Sequence, residues 1–311
     1  MTDPVSEFLD AMGAAGIRPV EAITDKLASG DPVRFRADGD KPGRRNGWAL
    51  LHLDGVAAGV FRHYRLGVRT VWRSGSDPRS LSPAERRAIM AQARESEARR
   101  KAETQAKQDA AEAIASDLWR GAAKADPAHG YLVRKGLPSF GIRQHGETLL
   151  VPMVDPGFRL WNVQRIYPDG RKRFLSGGRT DGLFWPHGAF WQDGRPSAGP
   201  LVIGEGFATV AAIYHATGHG VVAGMSARNL ATVTRAMRKL FPVRTLIVAA
   251  DDDCHLSDNL GLKAARKAAE AVGGYLATPL PETRSRDSGA DFADIPRGEV
   301  AGRIAAARLE Q

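Results

Sequence analysis

The sequence contains a single cysteine, Cys254, among its 311 residues. A disulfide or a zinc site built on several cysteines therefore cannot form within the chain, and this scarcity is typical of a reducing compartment. We expect a cytoplasmic protein without zinc. Apolar runs fall well short of the roughly 18 residues that a membrane-spanning helix needs. The N-terminus lacks the apolar stretch of a secretory signal, so no membrane partner is expected.

Acidic residues are outnumbered in the first part of the chain. Residues 1–195 hold 31 Lys and Arg against 23 Asp and Glu, whereas residues 196–311 hold 13 against 12. Between Val33 and Arg73 there are nine basic and three acidic residues. Such a surface attracts polyphosphate or nucleic acid, with Arg44 and Arg45 as candidate contacts. A plain solvated surface rich in arginine is the alternative.

The pattern of apolar and turn residues predicts four segments. Residues 1–78 form a small basic N-terminal domain rich in β-strands, whose Asn46-Gly47 and Asp54-Gly55 pairs signal hairpin turns. Residues 79–124 form a charged linker helix that begins at a capping box, Ser82 to Glu85. Residues 125–198 form a basic mixed α+β subdomain, and residues 199–311 form an α/β domain.

Strands and helices alternate in the last segment. Apolar runs at 201–203, 220–223, 245–250 and 275–277 predict four strands, separated by helices, with a final helix at 297–309. Runs that are apolar on both faces are typical of a parallel sheet covered by helices. Ligands of such sheets bind at the carboxyl ends of the strands.

Carboxylates stand at those strand ends. Glu205 follows the first strand, and Asp251, Asp252 and Asp253 follow the third. Asp251 and Asp253 are two residues apart, so both side chains point the same way while Asp252 points elsewhere. Asp291 and Asp294 add acids after the fourth strand. Clustered carboxylates suit a hard divalent cation, Mg²⁺ or Mn²⁺, and two such ions can support phosphoryl transfer.

Three segments carry a resemblance to a known family. Leu201–Gly206, Ala249–Asp253 and Gly289–Asp294 together resemble the Toprim domain, which is shared by bacterial primases, topoisomerases and some nucleases. Further segments resemble plasmid- and phage-type DNA primases: Tyr131–Leu137, Leu150–Pro152, Gln164–Ile166, Gly170–Phe174, Met225–Leu230 and Gly261–Ala265. The resemblance implies a Rossmann-like, four-stranded parallel sheet flanked by helices.

The resemblance also implies roles for the acidic residues. Glu205 would exchange protons or bind metal, Asp251 and Asp253 would bind Mg²⁺, and Asp291 with Asp294 would complete the metal region.

Basic side chains would hold the nucleic acid or the nucleotide. By the same resemblance, Arg165, Lys172 and Arg173 would hold the nucleoside triphosphate or the template–primer backbone. Asn229 and Lys263 are further candidates, for which loop bracing and a plain surface position are the alternatives.

Two departures separate this sequence from bacterial primases. Thr209 stands where an acid often follows the Glu by four residues, and the N-terminal zinc module is absent. The leading hypothesis is a primase that makes short RNA primers on single-stranded DNA from NTPs, working with a replicative helicase or another replication protein. A Toprim-type metal-dependent nuclease and a non-catalytic DNA-binding accessory protein are the alternatives. Too little chain remains for the tyrosine domain of a topoisomerase.

Overall fold

The protein is described by a computed structural model. It covers residues 3–53, 56–75, 82–192, 195–252, 259–279 and 289–309. The chain divides into two compact units, Met1–Glu103 and Thr104–Gln311, called here the N-terminal and C-terminal units. The four predicted segments stay predictions. Among the described residues, no helix combines the length and apolarity needed to cross a membrane.

The N-terminal unit is a four-stranded antiparallel meander packed on helices. Its elements are α1 (Pro4–Ala14), α2 (Thr24–Ala28), β1 (Val33–Phe35), β2 (Gly47–His52), β3 (Ala58–His63), β4 (Val68–Arg73) and the first part of α3 (Pro83–Gly121). One sheet face packs on α1 and α2, where Phe8 contacts Phe61 and Trp72 edge-on. Part of the other face packs on Ile89 of α3.

The predicted turn at Asn46-Gly47 is wrong. Gly47 is the first residue of β2 and pairs with Phe35 across the sheet. A Cβ atom on Gly47 would lie 2.2 Å from the ring of Phe35, so glycine is needed here for close packing rather than for a turn. The second predicted turn, Asp54-Gly55, lies outside the described residues, although β2 and β3 on either side of it do pair antiparallel.

The long helix α3 begins at the predicted capping box. The backbone N–H of Glu85 donates to the hydroxyl of Ser82 at 3.2 Å, and the backbone N–H of Ser82 donates to the Glu85 carboxylate at 2.9 Å. Most of the helix surface is exposed, as expected of a linker. Ala115, near its C-terminal end, is nevertheless fully buried against the first sheet of the C-terminal unit.

The first sheet of the C-terminal unit has five antiparallel strands in sequence order. Its elements are β5 (Ala123–Lys124), α4 (Gly130–Lys135), β6 (Arg143–His145), β7 (Thr148–Val154), β8 (Leu160–Ile166) and β9 (Lys172–Phe174). His129 caps α4, because its Nδ1 accepts from the backbone N–H of Tyr131 at 3.2 Å.

The second sheet carries the strand–helix alternation. The elements of this part of the chain are β10 (Trp185–His187), β11 (Trp191–Gln192), β12 (Arg195–Pro196), β13 (Leu201–Gly204), α5 (Phe207–Thr217), β14 (Gly220–Ala223), α6 (Ala227–Leu240), β15 (Leu246–Ala249), α7 (Leu260–Glu270), β16 (Tyr275–Ala277), α8 (Arg297–Ala305) and β17 (Arg308–Leu309). Of these, β11 and β12 pair with each other in a small sheet of their own. The strand order is β10-β14-β13-β15-β16-β17.

The predicted α/β class is confirmed, but the sheet has six strands rather than four. The central four are parallel, and β10 and β17 add an antiparallel strand at each edge. The final helix ends at Ala305 instead of Leu309, because the chain turns back to pair with β16. Strands β13, β14 and β15 are buried at every position, since α5 and α8 pack on one face and α6 and α7 on the other.

Candidate active site

Glu205 lies at the carboxyl end of β13, where the chain turns into α5. The strand and helix approach closely at this turn, since a Cβ atom on Gly204 would lie 2.7 Å from Cγ1 of Val210. Gly206 is the N-cap of α5. A side chain at position 204 would push the helix away from the strand, so glycine at this position fixes where Glu205 leaves the sheet.

Asp251 follows the neighbouring strand β15 and reaches the same edge. Gly204 and Ala249 are directly paired, which aligns the ends of β13 and β15. Burial raises the pKa of Asp251 to about 7, and the negative charges of Asp291 and Glu205 contribute to the rise. Three carboxylates therefore interact at this edge, as predicted from the strand ends, and the buried one resists ionisation.

Thr209 occupies the position where the resemblance leads us to expect an acid. It lies in the first part of α5, and its hydroxyl donates to Oδ1 of Asp251 at 2.8 Å. This hydrogen bond lowers the pKa of Asp251 and opposes the effect of burial. The departure from the primase pattern thus has a structural role, because a hydroxyl now orients the buried carboxylate.

Asp252 points away from Asp251, and its backbone and side chain form hydrogen bonds with two other segments of the chain. Its backbone forms a two-way bridge with Ala290, with both N–H to O distances at 2.9 Å. Its carboxylate accepts from Nδ2 of Asn259 at 2.7 Å. The bridge brings Asp291, the next residue after Ala290, to the edge of the sheet. Asp253 lies outside the described residues.

A lysine that the sequence analysis missed forms ion pairs with Asp291 and Asp294. Nζ of Lys135, at the end of α4, lies 3.3 Å from Asp291 and 2.5 Å from Asp294. Burial lowers the pKa of Lys135, but the hydrogen bond that its ammonium donates to Asp294 and the charge of Asp291 outweigh it and leave the pKa raised. This ion pair joins the end of α4 to the acidic edge.

Tyr131 is a second residue that sequence reasoning missed. It is 3% exposed, and its hydroxyl has no hydrogen-bond partner among the described residues. Burial raises its pKa, and the charge of Asp291 adds to the rise. The side chain therefore remains protonated beside the acids. The only sequence signal was its place in Tyr131–Leu137, one of the segments that resembles primases.

Lys172 is a second basic side chain at the acidic edge, where its charge acts on Asp251. Its ammonium lies 5.9 Å from the centre of the Tyr131 ring and 3.9 Å from the position that a Cβ on Gly206 would take. Its charge lowers the pKa of Asp251. The predicted role of Lys172, to hold the nucleoside triphosphate or the template–primer backbone, stays a prediction.

Arg165 and Arg173 lie on the other face of the first sheet. In β9, Lys172 pairs with Ile166, which belongs to the core shared with the second sheet. Arg173 pairs with Arg165, whose other partner Leu150 packs towards α3. The structure therefore separates the three residues that the sequence analysis grouped. The Nε of Arg165 is buried without a hydrogen-bond partner among the described residues.

Asn229 is a structural brace. It is 5% exposed, and its Nδ2 donates to the carbonyl oxygens of Leu183 and Gly224 at 2.8 Å and of Thr180 at 3.2 Å. Its Oδ1 accepts from the backbone N–H of Gly182 at 2.8 Å. Because both amide atoms bind the backbone, the geometry favours the loop-bracing alternative over nucleotide binding.

The remaining basic candidates are surface residues. Lys263 is exposed on α7. Arg44 and Arg45 are exposed on the β1–β2 loop of the N-terminal unit, where Arg45 pairs with Glu21 at 3.4 Å.

The donor set suits a hard cation. Carboxylate oxygens are the ligands that Mg²⁺ and Mn²⁺ prefer, and a cation would relieve the repulsion that raises the pKa of Asp251. Within the described ranges, no three His, Cys, Asp or Glu side chains form a preassembled metal site. The nearby Asp253, a predicted ligand, is outside those ranges.

Comparison with known proteins bears first on the second sheet. Residues 200–301 match the model of the Toprim domain and are similar to that domain. The match spans β13 to α8 and includes the acidic edge, so the resemblance noted in the sequence is confirmed.

The similarity extends well beyond the Toprim domain. The chain is 34% identical over 287 residues to a DNA primase TraC of Escherichia coli and 34% identical over 294 residues to another. Each alignment covers 89% of this chain but only 26% and 20% of the relatives, so the chain spans about a quarter of their length or less. The DnaG primase catalytic domain bound to single-stranded DNA overlays with a TM-score of 0.45 at 14% identity, over 65% of this chain and 80% of that one.

Proposed function

We propose that this protein is a DNA primase, which synthesises short RNA primers on single-stranded DNA by metal-dependent nucleotidyl transfer. One observation carries the proposal: the similarity to DNA primases spans 89% of the chain, including the basic first sheet as well as the Toprim domain. A Toprim nuclease would need only the acidic edge, so the wider similarity favours a primase.

The acidic edge would hold the metal. Glu205, Asp251 and Asp253 are the proposed ligands for Mg²⁺ or Mn²⁺, and Asp291 and Asp294 complete the negative region beside Lys135. When bound, the ion supplies Lewis-acid stabilisation of the charge that develops on the reacting phosphate. The raised pKa of Asp251 supports this assignment, because part of the rise comes from the negative charges of Asp291 and Glu205, which a cation at this edge would neutralise.

The chain's own residues position the reactants. Thr209 orients Asp251, and Lys172 is placed to bind a phosphate oxygen of the incoming nucleotide. In the reaction, the primer 3′-hydroxyl attacks the α-phosphate, an O–P bond forms, and pyrophosphate leaves with the electrons of the broken bond. Glu205 is proposed to accept the hydroxyl proton.

The partners follow from the reaction. We expect a single-stranded DNA template, NTPs and a replicative helicase or another replication protein, in plasmid, phage or mobile-element replication in the cytoplasm. Arg165 and Arg173, on the far face of the first sheet, are proposed to hold the nucleic-acid backbone rather than the nucleotide at the carboxylates.

The test is primer synthesis by the full chain. It is incubated with single-stranded DNA, labelled NTPs and Mg²⁺ or Mn²⁺, beside Asp251→Ala and a matched surface control, Asp117→Ala on α3, where the side chain is 75% exposed. We expect short RNA products from the wild type and the control, and none from Asp251→Ala. DNA breakdown without primers, lost in Asp251→Ala, would establish the nuclease instead. DNA binding with neither activity would favour the accessory role.

A further inference from the structure

A row of arginine and aromatic side chains crosses one face of the N-terminal sheet. Arg34 on β1 pairs with Trp48 on β2, Trp48 pairs with Arg62 on β3, and Arg62 pairs with Arg69 on β4. Directly paired residues point to the same face, so the row runs across all four strands. Tyr64, just after β3, stands beside it. We call these five residues the arginine ladder.

The cations of the ladder stack on its rings. The guanidinium of Arg62 lies 4.7 Å from the ring centre of Trp48 and 4.5 Å from that of Tyr64, and the guanidinium of Arg34 lies 4.8 Å from Tyr64. These distances are typical of cation–π contacts. The guanidinium groups of Arg34 and Arg62 are therefore held against the aromatic rings instead of extending into solvent.

The ladder lacks neutralising charge. No carboxylate among the described residues pairs with Arg34, Arg62 or Arg69. The Nε of Arg62 is buried and has no hydrogen-bond partner in the same part of the chain. Guanidinium groups without a paired carboxylate attract phosphate, whose oxygens are strong acceptors for arginine.

The ladder remains accessible although α3 covers part of its face. Ile89 and its neighbours on α3 pack against Ala58 and Val60. Arg34 is exposed and Tyr64 is 47% exposed. Arg69 is also exposed, and its Nη2 contacts the sulfur of Met90 on α3 at 3.3 Å.

We propose that the arginine ladder binds single-stranded DNA. Strands in a sheet lie about 4.8 Å apart, so the four paired residues span about 14 Å, enough for a few extended nucleotides. Tyr64 offers a ring for stacking an unpaired base, and the arginines contact the phosphates. A duplex hides its base faces and cannot use the rings in this way. The inference rests on the proposed function only for the choice of DNA over RNA.

This surface lies within the basic stretch Val33–Arg73 for which the sequence analysis predicted nucleic-acid binding, but its residues differ from the named candidates Arg44 and Arg45. Arg44 and Arg45 lie on the loop before β2, whose ends are tied to buried Asp40 by Asn46 and the backbone N–H of Ala37. Neither arginine belongs to the paired row.

The test is equilibrium binding of the full chain to a fluorescein-labelled 20-residue oligothymidylate, measured by anisotropy in EDTA at several salt concentrations. The first variant combines Arg34→Ser with Arg69→Ser, and its matched control combines Arg18→Ser with Arg99→Ser, two exposed arginines of the same unit. If the two ladder arginines contact phosphates, the steepness of the plot of log K against log salt falls by about 1.4 in the ladder variant and by less than half of that in the control.

The aromatic contribution is tested separately. Tyr64→Ser is expected to weaken binding roughly ten-fold through loss of stacking, whereas Tyr64→Phe keeps the ring and the wild-type affinity. Circular dichroism and thermal melting confirm that each variant is folded, and Arg62 is left intact because its buried contacts support the sheet.

Each outcome decides the proposal. Equal losses in the ladder variant and its control, or equal binding of duplex and single strand, would show non-specific attraction and overturn it. Tighter binding of oligouridylate than oligothymidylate would make RNA the occupant and also overturn it. Primer synthesis is measured in parallel. Primer synthesis without DNA binding by the ladder would refute the ladder alone. DNA binding by the ladder in a chain that makes no primers would refute the proposed function alone.

Discussion

Replacing Asp251 by asparagine is expected to stabilise the metal-free protein while abolishing its activity. A carboxyl group whose pKa is about 7 in the folded chain and 3.8 ordinarily opposes folding by about 1.4 kcal/mol for each pH unit between those values. Above pH 7 the full effect is about 4 kcal/mol. Asparagine has nearly the same shape, keeps an oxygen for the Thr209 hydroxyl and carries no charge.

The sign of this effect depends on pH. Below about pH 4 the carboxyl is protonated in the folded and unfolded chains, so the variant and the wild type are equally stable there. As pH rises, the unfolded chain loses the proton first, and the wild type becomes the less stable of the two. We expect a gain for Asp251→Asn of about 1 kcal/mol at pH 4.5 that grows to about 2–4 kcal/mol at pH 8.

Hydrogen exchange of the β13 and β15 amides in EDTA measures this gain, because these buried strands open only when the second sheet unfolds. Asp117→Asn on α3 is the control for removing an exposed charge. Added Mg²⁺ is expected to stabilise the wild type but not Asp251→Asn, narrowing the difference. A variant that is no more stable than the wild type at pH 8, or a gain that does not vary with pH, would refute the reasoning.

Three further predictions concern side chains around the same edge. Thr209→Ala removes a hydrogen bond that lowers the pKa of Asp251, so the acidic limb of the pH–rate profile should move to higher pH. Thr209→Ser keeps the hydroxyl and should leave the limb in place. An unmoved limb in Thr209→Ala would contradict this expectation. Lys172→Ala should slow primer synthesis about ten-fold, and Arg173→Ala should slow it far less, with initial rates as the measurement. Equal losses of rate would mean that the face of the first sheet on which a basic residue lies does not affect catalysis. Asn229→Ala should lower the free energy of unfolding in urea by about 2–4 kcal/mol at unchanged nucleotide KM, and a raised KM in a stable variant would restore the nucleotide-binding interpretation.

The sequence was sufficient to predict the central sheet and the place of its carboxylates. Strands buried on both faces require continuous apolar runs, and those runs are readable without a structure. The positions of Glu205 and Asp251 followed, because parallel neighbours end at the same edge. The separation of Lys172 from Arg173 was also predictable, since adjacent residues of a strand point to opposite faces.

Other features depended on contacts that no local pattern records. The edge strands β10 and β17 have three and two residues, too few for a periodic signal. Lys135 meets Asp291 across 156 residues of sequence. The misassigned turn at Gly47 has the same origin, because the Phe35 ring that requires glycine is brought there by strand pairing.

The ion pair of Lys135 with Asp291 and Asp294 gives the acidic edge an internal counter-ion. Without a counter-ion, the carboxylates would repel one another until a metal ion bound, and folding of this edge would then depend on the metal concentration. Here one ammonium partly neutralises the cluster as the chain folds, so the edge is assembled in advance. The cost is competition, because any cation that binds Asp291 must share it with the lysine or displace it. Reversible metal occupancy, rather than permanent capture, is the behaviour that this arrangement favours.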